Sequence, residues 1–149
     1  MRLWHKDLLK VLPQKQICSQ WRECCAIAKS IKEKGTPNHI LVNKIMNYPI
    51  EQFLVYTATV EYEMIKRGYK VNSSKFSKYF DSYYIAHKSV FDRNTFSETL
   101  FPNWHNDRYY RQCYFNLQEK FDCGGITREE WDNIQRAYYD KYPLGVENI

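Results

Sequence analysis

Two groups near the start of the chain could take part in chemistry: the α-amine of Met1 and the carboxylate of Glu23. Because the bulky Arg2 follows Met1 and prevents removal of an initiator methionine, we expect the mature amine to belong to Met1. An α-amine is less basic than a lysine side chain, so a useful fraction is unprotonated and nucleophilic at neutral pH. Taken alone, a carboxylate among basic residues is an ordinary ion-pair partner. The elements that carry the two groups decide whether they can act together.

Glu23 belongs to a predicted amphipathic helix from Gln14 to Lys34. Apolar residues recur there at steps of three and four, and Gly35 follows as a stop signal. At about 100° per residue, a mostly polar stripe lies beside the buried face and a basic stripe lies on its far side. The polar stripe contains Gln16, Gln20, Glu23, Ile27, Ser30 and Lys34; the basic stripe contains Lys15, Arg22 and Lys29. Glu23 is therefore expected on a rigid element at the edge of the core.

Two further helices are predicted before residue 70. Thr36-Pro37 has the composition of a helix N-cap followed by proline at the first helical position, which predicts a short helix through Ile45. Pro49 begins a longer segment with helical spacing that ends at Gly68. Its β-branched residues weaken the helical signal without replacing it.

The second half of the chain adds two more helices. The segment 105–107 can cap a helix that continues to Phe121, and a capping box formed by Thr127 and Glu130 opens another. The stretch 73–103 has no clear pattern and is left open; one short helix among irregular loops is compatible with it. Because no hairpin or βαβ pattern occurs, we predict an all-α fold: a compact helical bundle with a short N-terminal segment packed near the first long helix.

Length and composition exclude several classes of protein. The 149 residues are 44% hydrophobic, which suits a single domain over residues 1–149 with a real core. No apolar run approaches the roughly 18 residues of a membrane span, and the start lacks a secretory signal, so we expect a cytoplasmic protein without a membrane partner. The five cysteines are odd in number and lack paired CxxC spacing, which favours small buried thiols over disulfides or a metal site.

The positive charge is concentrated near the start. Residues 1–35 carry eight basic and three acidic side chains, whereas residues 36–149 carry fourteen of each. The whole net charge of +5 therefore lies in the first quarter of the chain. Localised positive charge attracts phosphate backbones or anionic membrane surfaces, and it also occurs on ordinary solvated surfaces.

Several short motifs carry a family resemblance. The start Arg2-Leu3, the run from Leu12-Pro13 to Gln20, and the triplet Trp21-Arg22-Glu23 resemble the pyrimidine-dimer DNA glycosylase/AP-lyase family, known from phage ultraviolet-repair enzymes. The start Met-Arg-Leu-Trp-His and the later Arg22-Glu23-Cys24-Cys25 are more similar to a bacterial subgroup of that family. The resemblance covers residues 1–25 well and is much fainter beyond residue 35.

The resemblance implies an activity and residues that perform it. The Met1 amine would attack C1′ of a damaged nucleotide in double-stranded DNA, and the resulting imine would undergo β-elimination. Glu23 would stabilise cationic character at the sugar and then help to remove the 2′ proton. Arg2, Arg22, Gln16 and Lys29 are the expected DNA-binding residues. No metal or other cofactor is required, and the protein is expected to act as a monomer without an obligate protein partner.

The sequence also departs from the phage type. Gln16 stands where that type has His, Ala26 stands where it has a phosphate-facing Arg, and Met replaces Thr as the nucleophilic residue. Three alternatives therefore stay open: a lyase or glycosylase for another lesion, a non-catalytic helical nucleic-acid-binding module, and a protein-interaction domain. The block His105-Asn106-Asp107 also resembles the bacterial subgroup, but helix capping by this block explains it adequately.

Overall fold

The first long helix forms as its sequence predicts. In a computed structural model that describes residues 1–93 and 100–143, α1 covers Gln14–Lys34. It ends because Gly35 adopts a left-handed conformation with φ of 77°, and the Gly35 N–H donates to the carbonyl of Ile31. The helix buries Ile17, Trp21, Cys24, Ile27 and Ala28. Glu23 is partly exposed at the edge of this face, as expected.

The other helices build an all-helical bundle around a shared core, and the described residues contain no strand. Their bounds are Ile50–Lys66 for α2, Ser74–Ser77 for α3, Tyr83–Arg93 for α4, Asp107–Asp122 for α5 and Arg128–Lys141 for α6. Short 3₁₀ helices cover Lys6–Val11 and Asn43–Asn47. The all-α prediction is confirmed. Among the described residues, no helix has the length and apolar character needed to cross a membrane.

Helix α2 occupies the centre of the bundle. It packs against α1, α4 and the 3₁₀ helix Lys6–Val11, and α6 packs against α5 and that same 3₁₀ helix. The buried faces of these elements form one continuous cluster of hydrophobic side chains. Local signals set the starts of the last two helices: Asn106 accepts a hydrogen bond from the Tyr109 N–H, and the Thr127/Glu130 capping box is present. Both capping predictions are confirmed.

The predicted helix from Thr36 to Ile45 is wrong. The chain forms a loop over residues 36–42, and only Asn43–Asn47 is helical, as a 3₁₀ turn. Asn38 has a φ of 58°, in the left-handed region, which interrupts a right-handed helix. The Thr36 hydroxyl accepts a hydrogen bond from the Asn38 N–H, so it caps a tight turn instead of a helix.

The cysteine prediction is only partly correct. All five thiols are free, but only Cys24 and Cys113 are buried. Cys18 and Cys25 are half-buried, and Cys123 is exposed. No group of three or more His, Cys, Asp or Glu side chains in the described ranges is arranged to hold a metal ion.

Candidate active site

The start of the chain and α1 meet in a cleft with a volume of about 350 Å³. We call it the Met1 cleft; its walls are formed by Met1, Arg2, Trp4, Lys15, Gln16, Ser19, Glu23, Asn116 and Lys120. Gln16, Ser19 and Glu23 recur at steps of three and four on one face of α1, and Lys15 lies beside Gln16 at the edge of that face. Three of the lining side chains are basic and one is acidic, which gives the cleft a positive balance.

Gln20 fixes the N-terminal segment, residues 1–5, against α1. Its side chain is fully buried; Nε2 donates to the carbonyl of Arg2 at 2.9 Å, and Oε1 accepts from the Trp4 N–H at 2.7 Å. One amide therefore holds the backbone on both sides of Leu3. Because both partners are backbone atoms, the bonds depend on the path of the chain and not on the types of side chains.

Two tyrosines hold the same segment from other helices. The Tyr56 hydroxyl donates to the carbonyl of Trp4 at 2.6 Å and lies 3.0 Å from Gln20 Oε1. The Tyr109 hydroxyl donates to the carbonyl of Leu3 at 2.6 Å. Burial raises the pKa of both tyrosines well above the ordinary value, so both hydroxyls remain donors. The N-terminal segment is thus anchored immediately after Met1, and Met1 itself stays exposed.

Arg2 and Gln16 have different environments within the cleft. The Arg2 guanidinium lies over the Trp4 ring, 5.0 Å from its centroid, in a cation–π arrangement. Gln16 Oε1 is buried and has no hydrogen-bond partner among the described residues. A buried acceptor without a partner is costly, and a donor group on a bound ligand would remove that cost.

The structure brings together four of the six residues predicted for the site. Met1, Arg2, Gln16 and Glu23 line the Met1 cleft. Arg22 and Lys29 do not; both are exposed on the neighbouring face of α1. Arg22 connects to the cleft indirectly, because its Nη2 donates to Ser19 Oγ at 3.0 Å and Ser19 is a lining residue.

Sequence reasoning missed the wall contributed by α5. Asn116 and Lys120 lie four residues apart on one face of this helix, and both line the cleft. A polar residue next to the apolar stripe of an amphipathic helix looks the same in sequence whether it faces water or a cleft. The structural role of Gln20 was missed for a similar reason. Gln20 belongs to the polar stripe of α1, yet its side chain is fully buried.

His105 lies outside the Met1 cleft and has a packing role. Its Nδ1 accepts a hydrogen bond from the Lys6 N–H at 3.0 Å, and its ring stacks on that of His5 at a centroid distance of 5.1 Å. Burial lowers the pKa of His5 to about 4, and burial also lowers the pKa of His105 well below its ordinary value. Both rings are therefore neutral at pH 7. Asn106, and not His105, caps α5.

The fold is all-helical in the described residues, and the cleft has a basic lining. Met1 and the Glu23 carboxylate of α1 both line this cleft. A family model described as pyrimidine dimer DNA glycosylase matches residues 1–77, more than half of the chain, and the chain belongs to this family. The family predicted from the sequence is thereby confirmed. No match was found among curated proteins, and none among solved structures. The matched range contains Met1 and Glu23 but not Asn116 or Lys120.

Proposed function

We propose that this protein is a DNA glycosylase with AP-lyase activity that acts, as a monomer, on cyclobutane pyrimidine dimers in double-stranded DNA. The observation that carries the proposal is that Met1 and Glu23 line the same cleft, within the part of the chain that matches the family. The segments 1–5 and 22–25 further favour the bacterial subgroup.

The first step is displacement of the damaged base. The unprotonated Met1 amine forms a bond to C1′ while the bond from C1′ to the pyrimidine nitrogen breaks, and the base leaves with that electron pair and takes up a proton. Positive charge develops at the sugar in this transition state. The Glu23 carboxylate stabilises that charge electrostatically.

The second step breaks the strand. The amine nitrogen loses a proton, the C1′–O4′ bond opens with protonation of O4′, and a protonated imine forms between C1′ and Met1. The imine makes the 2′ protons acidic, so a base can remove one of them; the C3′–O bond then breaks and the phosphate leaves. Glu23 is the base in this step because it is the acidic side chain in the cleft wall.

The remaining wall residues bind the DNA around the sugar. Arg2, Lys15 and Lys120 supply positive charge for backbone phosphates, and the unpartnered Gln16 Oε1 accepts a hydrogen bond from the nucleotide. Arg22 and Lys29 extend the phosphate contacts along the outside of α1. A cleft of about 350 Å³ is at the lower end of the size range of ligand pockets, so it admits one exposed sugar or one unstacked base and not a stacked duplex.

Borohydride trapping tests the proposal directly. Untagged protein, with Met1 confirmed as the first residue by intact mass, is mixed with duplexes that contain one cyclobutane dimer, one abasic site or no damage. Sodium borohydride reduces an imine to a stable amine, and peptide mapping identifies the attached residue. A form extended by two residues before Met1 serves as the matched control, because it displaces the amine, and the exposure of Met1 leaves room for the added residues.

The outcomes separate the alternatives. An adduct at Met1 on both the dimer and the abasic duplex, lost in the extended form, supports the proposed reaction. An adduct on the abasic duplex alone indicates a lyase with a different lesion as its substrate. Salt-dependent DNA binding without any adduct indicates a non-catalytic module and contradicts the proposal. Failure to bind any nucleic acid leaves the protein-interaction alternative.

A further inference from the structure

The loop that joins α1 to α2 presents an apolar tip to solvent. Ile40 is 84% exposed and Leu41 is 51% exposed, although they are adjacent aliphatic residues in a chain with a well-filled core. A pair of this kind differs from an isolated surface leucine, and exposed apolar groups held together often form contacts with a partner. We call these two residues the loop tip.

The loop is held in a defined conformation beneath the tip. Asn43 Oδ1 accepts a hydrogen bond from the His39 N–H at 3.0 Å, and the Val42 N–H donates to the carbonyl of His39 at 3.0 Å. Val42 is fully buried and anchors the base of the loop in the core. The exposure of Ile40 is therefore a consequence of how the loop is built, because its neighbours on both sides are fixed.

The loop starts on the face of α1 that carries Glu23. Ser30 follows Glu23 by seven residues, which places it about two turns further along the same face and about 10 Å away. The Ser30 hydroxyl donates to the carbonyl of Thr36 at 2.8 Å, and so the chain leaving α1 turns back onto this face. This contact holds the start of the loop, four residues before Ile40, about two turns of α1 from Glu23, a rise of about 10 Å or about three stacked base pairs.

The charges around the loop tip favour a nucleic acid as its partner. Lys29, Lys32, Lys34 and Lys44 flank it in sequence, with Glu33 as the acidic side chain in the same range. An apolar tip between cations matches the surface of a DNA duplex, which presents phosphates on the outside and flat apolar bases between them.

We propose that Ile40, supported by Leu41, is a wedge that enters the base stack of damaged DNA within a few base pairs of the damaged nucleotide. This inference rests on the proposed function. Insertion of an aliphatic side chain between base pairs unstacks one step and kinks the duplex, which lowers the cost of exposing the sugar of the damaged nucleotide to the Met1 amine. The loop tip then helps the protein to discriminate damaged from intact DNA, because a damaged base step costs less free energy to open than an intact one.

Fluorescence of 2-aminopurine measures the wedge without requiring any chemistry. The base is placed next to a tetrahydrofuran abasic analogue, which the protein cannot cleave, and its emission rises when it is unstacked. Wild-type protein at saturating concentration is compared with Ile40→Ser and with the double variant Ile40→Ser/Leu41→Ser. Ile85→Ser is the matched control, because Ile85 is also an exposed isoleucine, 57% exposed, but lies on α4.

The wedge predicts that wild-type protein and Ile85→Ser raise the emission, whereas Ile40→Ser leaves it near that of the free duplex. On a cyclobutane-dimer substrate, Ile40→Ser should cleave a fully paired duplex about tenfold more slowly, and mismatches opposite the dimer should restore most of the rate. No emission rise with wild-type protein overturns the wedge, and so does a wild-type rise in Ile40→Ser. Borohydride trapping is scored separately, so failure of the proposed reaction can be distinguished from failure of the wedge.

Discussion

The backbone N–H of Trp4 donates a 2.7 Å hydrogen bond to the buried side-chain carbonyl of Gln20. This bond joins the segment that carries Met1 to the helix that carries Glu23, and the same amide also binds the carbonyl of Arg2. The position of the Met1 amine relative to the Glu23 carboxylate therefore depends on Gln20. Gln20 itself has no chemical part in the proposed reaction. We therefore infer that Gln20 is a positioning residue for the proposed reaction.

Replacement of Gln20 by leucine should show whether Gln20 positions the Met1 amine in addition to stabilising the fold. The variant keeps a similar volume but leaves the Arg2 carbonyl and the Trp4 N–H unpaired, which should reduce the free energy of unfolding by about 2–4 kcal/mol. The rate of borohydride trapping at 10 °C, where the variant is still folded, should fall by about 10- to 100-fold because the amine is misplaced.

Thr57→Val is the matched control for Gln20→Leu. Thr57 is also fully buried, and its hydroxyl donates to the carbonyl of Phe53 within α2. This variant should lose about 1 kcal/mol of unfolding free energy while its trapping rate stays unchanged. If both variants lose trapping rate in the same proportion to their loss of unfolding free energy, Gln20 has no positioning role.

Glu23→Gln should separate DNA binding from strand cleavage. Glutamine has nearly the same shape but cannot stabilise positive charge or accept the 2′ proton, so single-turnover cleavage should slow by about 100- to 10,000-fold. Affinity for the dimer duplex should be unchanged or tighter, because a negative charge has been removed from a cleft that faces phosphates. Glu33→Gln, at an exposed position near the end of α1, is the control and should cleave at the wild-type rate. Wild-type cleavage by Glu23→Gln would remove Glu23 from the mechanism.

The parts of the fold that could be predicted from sequence are those set by local signals. The period of apolar residues and the stop at Gly35 define α1, and the Thr127/Glu130 box defines the start of α6. The loop after α1 could not be predicted in the same way. Thr36-Pro37 has the composition of a helix start, but the Thr36 hydroxyl is used in a turn and burial of Val42 draws the chain away from a helical path.

The same distinction between local signals and long-range packing applies to the site. Met1, Arg2, Gln16 and Glu23 were accessible to sequence reasoning because they lie in the short motifs that carry the family resemblance. Gln20 lies in the same motifs, but its burial and its hydrogen bonds could not be inferred, because they depend on backbone atoms of the N-terminal segment. Lys120 reaches the cleft from a helix about a hundred residues away, and no local pattern encodes that approach.

Arg22→Ala tests whether the outer face of α1 contacts phosphate. Each phosphate contact to duplex DNA contributes a slope of about −0.9 to the dependence of log affinity on log salt concentration, so this variant should flatten the slope by about that amount. Its affinity should fall by a similar factor for damaged and undamaged duplexes. Lys88→Ala, at an exposed position on α4, should leave the slope unchanged. An unchanged slope in Arg22→Ala would show that Arg22 does not bind phosphate, and the same titration applied to Lys29→Ala tests the second exposed cation.

Finally, the buried pair of His5 and His105 should make stability depend on pH on the acidic side of neutrality. The folded pKa of His5 is lowered from 6.5 to about 4 by burial, so below pH 6.5 the unfolded chain takes up a proton that the folded protein does not. This contribution to stability is intact above pH 6.5 and is lost progressively as the pH falls towards 4. At about 1.4 kcal/mol per pKa unit, the loss from His5 alone reaches about 3 kcal/mol.

Urea unfolding of His5→Asn should show a shallower decline of the free energy of unfolding between pH 6.5 and 4.5. Asparagine can still accept the Asp7 N–H at this cap but does not titrate. His39→Asn, which lies outside the buried pair, should retain the wild-type slope, and an equally steep decline in His5→Asn would assign the acid sensitivity to other groups.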